Sequence, residues 1–290
     1  IFKTVSKPNP YLHNMKKILV PTDFSKEAEN ALKLAAQLAR KADGEIFLLH
    51  MLELPMQLVD PVMANRSNDL PEALFFMKLA KKRFSEILSQ PFLQGIKVHE
   101  KVHFHQAFEG IIEASRECDC ELIVMGSKGA NGFKEMFIGS NTEKVVRTSE
   151  IPVLVIKNDH REFKVKDFVF ATDFDLKNKS VLEQVVKVTR FFGAKLHLVY
   201  INTANNFLSS KEADLHMEEY MEGCELEDYA LNVYNDSSVE TGILNYAKKI
   251  DAELIGIATH GRKGLSHFFN GSVSEDLVNH ANMPVVTFHL

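Results

Sequence analysis

The chain has few cysteines. Only Cys118, Cys120 and Cys224 occur among its 290 residues. Three cysteines are too few for a disulfide framework, and Cys118-x-Cys120 lacks the C-x-x-C spacing that is typical of redox or zinc sites. The sequence therefore predicts a protein of a reducing compartment, for which the cytoplasm is the simplest choice.

Long apolar runs and an excess of positive charge are also absent. No run approaches the roughly 18 apolar residues of a membrane span, and the first residues lack the apolar core of a signal peptide. The formal net charge of −5 argues against a non-specific surface for nucleic acid or anionic lipid. We therefore expect neither a nucleic acid nor a membrane as a partner.

A spaced glycine pattern is present, and it occurs twice. Gly126-Ser127-Lys128-Gly129 is followed after nine residues by Gly139-Ser140, and Ala258-Thr259-His260-Gly261 is followed after nine residues by Gly271-Ser272. The copies lie 132 positions apart, from Gly126 to Ala258. Each copy follows an apolar, strand-like run and leads into a helix. Because N–H groups at a helix N-terminus can surround a phosphate, the pattern predicts a duplicated nucleotide-binding unit.

Strand-like and helix-like segments alternate through both halves of the chain. Such alternation predicts a parallel sheet with helices on both faces, and 290 residues suit two domains. The segment around Asp23 recurs around Asp173, 150 positions later. We predict a first domain at 15–157, a second at 167–290, and an arm or tag remnant at 1–14.

Each domain is predicted to contain five strands, with the last strand at an edge of its sheet. Edge strands offer unpaired backbone groups and invite pairing. The last strands of the two domains can pair with each other, so we expect a pseudo-twofold dimer within one chain. Association of two chains into a homodimer stays open.

The helix start after each glycine cluster permits two interpretations. Ser140-Asn141-Thr142-Glu143 and Ser272-Val273-Ser274-Glu275 both fit the Ser-x-x-Glu capping box, which needs no ligand. The N–H groups of the same helix end can also bind phosphate, and the two roles can coexist. The spacing fits neither a Walker A loop nor the G-x-G-x-x-G of dinucleotide enzymes.

Asp23 also permits two interpretations. It follows the first predicted strand, at the sheet edge where doubly wound proteins bind ligands. A carboxylate at this edge can accept hydrogen bonds from ribose hydroxyls or from an adenine amine. It can also help Ser25 to cap the first helix.

Three histidines, His99, His103 and His105, fall on one face of a predicted strand. A metal site needs convergent ligands, and no carboxylate or cysteine evidently completes this set. We interpret these histidines as exposed residues of an edge strand and predict no metal site. His50, in the second predicted strand, is expected to be hydrogen-bonded and partly buried.

Together these segments resemble the universal stress protein family in its tandem form. The resemblance rests on Pro-Thr-Asp-Phe-Ser at 21–25, Leu-Leu-His-Met at 48–51, Pro152-Val153 and the first glycine pattern, which fits the family's G-2x-G-9x-G-[ST] completely. It implies two tandem, doubly wound, five-stranded parallel-sheet domains with a Rossmann-like α/β fold of the adenine nucleotide alpha hydrolase type. In one branch of the family it also implies ATP binding.

The resemblance implies a site in each domain. In the first domain its residues are Asp23, Met51 through its backbone, Gly126, Gly129, Gly139, Ser140 and Asn141. In the second domain the corresponding candidates are Asp173, Thr259, Gly261, Gly271 and Ser272. Ala258 replaces the first glycine there, so the second site is expected to be the weaker one.

The implied function is that of a stress-response binding or regulatory protein. Its ligand is expected to be ATP, or alternatively AMP or ADP, with Mg²⁺ as a candidate accompanying ion. Two alternatives stay open, a non-catalytic tandem scaffold that binds no nucleotide and a slow ATPase. Because no strong general base or set of magnesium ligands is evident near the loop, we expect weak hydrolysis at most.

Overall fold

The computed structural model describes residues 15–52, 70–104, 107–127, 140–259 and 272–290. Strands and helices alternate along them, as the sequence predicts. The strands are β1 (Lys17–Thr22), β2 (Glu45–Met51), β3 (Lys97–His103), β4 (Leu122–Gly126), β5 (Val153–Ile156), β6 (Asp167–Ala171), β7 (Lys195–Asn202), β8 (Tyr229–Asn235), β9 (Leu254–Thr259) and β10 (Val285–His289). The α-helices are α1 (Lys26–Ala42), α2 (Leu70–Leu88), α3 (Ala107–Glu117), α4 (Ser140–Thr148), α5 (Val181–Phe192), α6 (Ser210–Met221), α7 (Val239–Lys249) and α8 (Ser272–His280).

The strands form one ten-stranded sheet. Its order is β3-β2-β1-β4-β5-β10-β9-β6-β7-β8. Neighbouring strands are parallel within each half of the chain. At the centre β5 pairs with β10 in the antiparallel direction, with Leu154 opposite Val286. The prediction that the two last strands pair within the chain is therefore confirmed.

The sheet is buried on both faces, which is typical of parallel sheets covered by helices. Successive residues of a strand point to opposite faces, and in β1 Ile18 and Val20 join one apolar cluster while Leu19 joins the other. Each cluster contains side chains from both halves, as shown by Val124 and Phe288 in the first of them. The two halves therefore share their hydrophobic core across the central strand pair.

Helix α1 illustrates how the sequence produces the local structure. The Ser25 hydroxyl accepts a hydrogen bond from the N–H of Ala28 at 3.2 Å, which caps the helix N-terminus. The alanine and leucine stripe of this helix is buried against the sheet. The helix ends with Asp43 in the left-handed conformation, at φ 51°.

Lys157 joins the two halves just after β5. Its ammonium group donates hydrogen bonds to the carbonyl oxygens of Asn279 and Ala281, the latter at 2.7 Å. These carbonyls lie at the C-terminal end of α8, where a cation interacts favourably with the helix dipole. Burial lowers the pKa of Lys157 to about 8. The lysine thus ties the first half to a helix of the second.

Lys157→Met is expected to lower the free energy of unfolding by about 1–2 kcal/mol, because two carbonyl groups lose a charged donor. Urea unfolding followed by circular dichroism measures this change. Lys164→Met is the control, since Lys164 is 70% exposed and pairs with the exposed Glu162, a contact of small value. Equal stability of the two variants would contradict the prediction.

Candidate functional site

The first half has a topological switch point between β1 and β4. From β1 the chain proceeds to β2 and β3 on one side, and β4 and β5 lie on the other side. Open α/β sheets bind ligands at the carboxyl ends of strands beside such a point. Asp23 follows β1 directly, and Gly126 is the last residue of β4. The structure therefore brings these two predicted site residues to neighbouring strand ends.

Asp23 lies in a tight turn and remains exposed to solvent. Its Oδ1 accepts a hydrogen bond from the N–H of Ser25 at 2.9 Å, and Thr22 Oγ1 accepts one from the N–H of Phe24 at 3.0 Å. Phe24 has a positive φ of 63°. One carboxylate oxygen of Asp23 thus supports the turn. No donor from the described residues is seen on the other oxygen.

The end of β2 lies beside the end of β1, with Thr22 opposite His50. His50 donates from Nδ1 to the carbonyl oxygen of Thr22 at 2.8 Å, and its ring packs against Phe24 with the centroids 4.3 Å apart. The prediction that His50 is hydrogen-bonded and partly buried is confirmed. Met51, the next residue, ends β2 and is partly buried. The backbone of Met51 is thereby held at the same edge of the sheet as Asp23.

Gly126 is needed for close packing. A Cβ atom at Gly126 would lie 2.2 Å from the carbonyl oxygen of Glu27 and 2.4 Å from its carbonyl carbon. Its φ lies outside the left-handed region. A glycine at such a position can serve either of two needs, a positive φ or the absence of a side chain. The structure favours the second, because the first turn of α1 touches the end of β4.

The second half differs at the corresponding place. Ala258 stands where the first half has Gly126, and it is buried. The segment that matches the first turn of α1 is the 3-10 helix Leu176–Asn178, and α5 begins only at Val181. At Gly126 a side chain is excluded by the backbone of the first α-helical turn of α1. In the second half a 3-10 turn stands in place of that α-helical turn.

Ser127 is a further candidate ligand residue that the predicted site did not include. It is 4% exposed, and its N–H donates to the carbonyl oxygen of Ile156 at 2.8 Å. Its buried hydroxyl has no hydrogen-bond partner in the part of the chain that the structure describes. Its position inside the glycine cluster is the sequence signal that could have identified it. A buried hydroxyl without a partner is unfavourable, so a ligand there would gain a hydrogen-bonding group.

Helix α4 supplies the rest of the first candidate site. It begins at Ser140 and contains Asn141, which is partly buried, in its first turn. The helix precedes β5, which is parallel to β4, so the helix N-terminus lies at the carboxyl edge of the sheet. Its N–H groups are directed towards the side where Asp23 lies. Gly129 and Gly139 lie outside the described residues.

The second half repeats the turn after its first strand. Asp173 Oδ1 accepts from the N–H of Asp175 at 3.1 Å, and Phe174 has a positive φ of 58°. In contrast to Asp23, the second oxygen of Asp173 is also contacted, by Asn178 Nδ2 at 3.5 Å. Both oxygens of this carboxylate therefore have donors from the chain itself.

Thr259 contacts the other half of the chain. Its hydroxyl is buried and contacts the carbonyl oxygens of Val146 in α4, at 3.2 Å, and of Phe288 in β10, at 3.3 Å. The predicted ligand role of this side chain is thus in competition with a packing role between the halves. Helix α8 begins at Ser272. Gly261 and Gly271 lie outside the described residues.

His99 and His103 lie in β3 at the outer edge of the sheet, but both are partly buried, so the expectation that they are exposed is wrong. His99 Nε2 contacts Glu45 Oε2 at 2.8 Å, and its ring stacks on Phe47 at 4.7 Å. Lys97 and His99 hold the pKa of Glu45 below its usual value. In the described ranges no three metal-ligating side chains form a group. His105 lies outside them.

A separate cavity of about 410 Å³ lies between α6 and β8. Glu218, Glu219 and Glu222 line it together with apolar side chains. Three carboxyl groups at one cavity disfavour an anionic ligand such as a nucleotide. The switch point of the first half is therefore the better candidate site.

The chain consists of two five-stranded units that are joined through their last strands, and each unit has polar residues at its switch point. This arrangement defines a tandem protein of the Rossmann-like α/β class. The sequence profile of the universal stress protein family matches residues 14–157 and 164–289. The chain therefore belongs to this family.

Several relatives support this assignment. Universal stress protein MJ0577 of Methanocaldococcus jannaschii is 33% identical over 153 residues, which are 49% of this chain and 94% of that protein. Universal stress protein Slr1230 of Synechocystis sp. is 22% identical over 297 residues, covering 94% of this chain and 100% of that protein. The crystal structure of a universal stress protein from Archaeoglobus fulgidus DSM 4304 has a TM-score of 0.71 and 24% identity, covers 95% of this chain and 98% of that chain, and shows the same fold.

Two further properties accompany the fold. Cys118, Cys120 and Cys224 are free thiols, and burial raises the pKa of Cys120 to about 12. None of the helices in the described residues is long and apolar enough to span a membrane.

Proposed function

We propose that the chain binds ATP, or a related adenine nucleotide, at the switch point of its first half and acts as a stress-response regulatory protein. The observation that carries this proposal is the exposed carboxylate of Asp23, which lies beside Gly126 and uses one oxygen for its own turn. The other oxygen can accept a hydrogen bond from a ribose hydroxyl. Carboxylates form strong hydrogen bonds with such donors.

The phosphate end of the ligand would lie against helix α4. The N–H groups of its first turn and the positive end of its dipole favour an anion. Ser127, which directly follows Gly126 at the end of β4, adds a buried hydroxyl. The complete family glycine pattern of the first half, from Gly126 to Ser140, supports this assignment and includes Gly129 and Gly139 as proposed phosphate contacts.

The base would lie beside β2. The backbone of Met51 ends this strand next to the Asp23 turn, and a strand end offers carbonyl and N–H groups to an adenine edge. The order Met51, Asp23, Gly126 then matches the order base, ribose, phosphate along three adjacent strands. This match of a linear ligand to a row of strand ends supports an adenine nucleotide over an isolated phosphate.

Freshly purified protein is expected to carry one adenine nucleotide per chain, or to bind one ATP when it is added. Native mass spectrometry counts the bound molecules, and titration calorimetry gives the dissociation constant. Gly129→Val is the matched negative variant, because a branched side chain would fill the proposed phosphate loop. The absence of both retained nucleotide and heat with ATP would overturn the proposed function and leave the scaffold interpretation.

A further inference from the structure

The end of β7 in the second half corresponds to the end of β2 in the first. Phe168 pairs with Leu196 just as Ile18 pairs with Ile46, so both strand pairs have the same register at an offset of 150 positions. Ile201 therefore takes the place of Met51, whose backbone we assign to the adenine base.

In the second half the backbone at this point is already hydrogen-bonded to a side chain. Asn206 donates from Nδ2 to the carbonyl oxygen of Ile201 at 3.1 Å, and its Oδ1 accepts from the N–H of Thr203 at 3.0 Å. The Thr203 hydroxyl contacts the same Oδ1. One carboxamide thus occupies both the carbonyl and the N–H group at the strand end.

The two hydrogen bonds of Asn206 resemble those that an adenine would make. A carboxamide presents a donor next to an acceptor, and an adenine edge presents its N6 amine next to a ring nitrogen acceptor. Both therefore suit the same pair, a backbone carbonyl and an N–H two residues later. An adenine that entered this position would first have to displace Asn206.

The loop that contains Asn206 is held in place by further hydrogen bonds. The Tyr200 hydroxyl donates to the carbonyl oxygen of Asn206 at 2.5 Å, and burial, with a contribution from Asp173, raises the pKa of that phenol to about 12. Asn202 forms a second carboxamide pair, accepting from the N–H of Leu208 at 2.9 Å and donating to its carbonyl oxygen at 3.3 Å. Displacing Asn206 would thus disturb an ordered loop.

We propose that the carboxamide of Asn206 occupies the adenine position of the second half and thereby restricts nucleotide binding to the first half. This inference rests on the proposed function, because it takes the end of β2 as the adenine position. Asn206 is then the residue that determines which half is selective for adenine nucleotides. Two further differences are Ala258 in place of glycine and the contact of Asn178 Nδ2 with Asp173 Oδ2 at 3.5 Å. The test separates the contribution of Ala258, and it leaves Asn178 in place because a contact of this length is a weak hydrogen bond.

The experiment counts ATP molecules on the full chain by native mass spectrometry. The wild type and Ala258→Gly are each expected to bind one ATP, and the double variant Asn206→Ala with Ala258→Gly is expected to bind two. Asn205→Ala with Ala258→Gly is the matched control, since Asn205 is an exposed neighbour of the same residue type, and it should bind one. Photo-crosslinking with 8-azido-ATP and peptide mapping assigns each molecule to a half. Asn206→Ser serves in the same background if the alanine variant does not fold.

The outcomes separate this inference from the proposed function. Two results would overturn the role of Asn206 and leave the first site in place. The first is two ATP molecules bound to the wild type or to Ala258→Gly, and the second is only one ATP molecule bound to each of the two Asn206 double variants. If the wild type bound no ATP, while an Asn206 double variant bound one that crosslinked in the second half, only the assignment of the site to the first half would be overturned. No ATP on any variant would overturn both.

Discussion

Asp23→Asn is expected to weaken ATP binding by roughly 10- to 100-fold, because a hydrogen bond to a charged group contributes about 1.5–3 kcal/mol. The substitution is chosen to leave the turn intact. The amide oxygen of asparagine can still accept from the N–H of Ser25, as Asp23 Oδ1 does at 2.9 Å. The charge and the second acceptor are lost, and these are the features that we assign to the ribose contact.

The second half offers the matched control for this change. Asp173 has the same turn, with Oδ1 accepting from the N–H of Asp175 at 3.1 Å, yet its other oxygen is contacted by Asn178. Asp173→Asn should therefore leave the dissociation constant for ATP unchanged. Calorimetric titration of both variants decides the matter. Equal affinity of the Asp23 variant and the wild type would exclude the carboxylate as a ligand group.

Gly126→Ala is expected to lower the free energy of unfolding by about 2 kcal/mol or more, since overpacking of a tight contact typically costs about 1–3 kcal/mol. The added methyl group would overlap the backbone of Glu27, whose carbonyl oxygen lies 2.2 Å from the required Cβ position. A backbone cannot move aside as a flexible side chain can. Helix α1 would have to shift at its first turn, next to the Asp23 turn.

Urea unfolding measures the effect of Gly126→Ala, and Ala258→Gly gives the reciprocal substitution at the matched position. We expect the second change to cost about 1–2 kcal/mol, because it removes one buried methyl group and adds chain freedom. ATP affinity should fall in the first variant as the Asp23 turn moves. A Gly126→Ala protein as stable as the wild type would show that α1 adjusts freely, contrary to this prediction.

The fold was largely predictable because it depends on local patterns. Apolar runs at Ile18–Val20 and Leu122–Met125 suit strands buried on both faces, and alternation with amphipathic helices defines a parallel sheet. The position of Asp23 at a strand end followed from the same pattern. The pairing of β5 with β10 followed from the repeat together with the instability of exposed edges.

The details that distinguish the two halves were not predictable in this way. The hydroxyl of Thr259 contacts Val146, 113 positions earlier, and such a contact exists only once the halves are joined. Asn178 reaches Asp173 because the chain there forms a 3-10 turn in place of an α-helical turn. No sequence pattern singled out Asn206, which lies in the segment after β7. These contacts depend on tertiary geometry, which periodicity does not encode.

The sheet has two rims, each formed by a row of strand ends. Because β5 and β10 pair in the antiparallel direction, the carboxyl ends of the strands lie at one rim in the first half and at the opposite rim in the second half. Helix α4 starts at Ser140 on one rim, and its Val146 carbonyl contacts Thr259 at the end of β9 on the other. Helix α8 runs the reverse course, from Ser272 to the carbonyls bonded by Lys157. Helices α4 and α8 therefore both extend across the sheet from one rim to the other. A displacement of either helix would therefore change contacts at both rims.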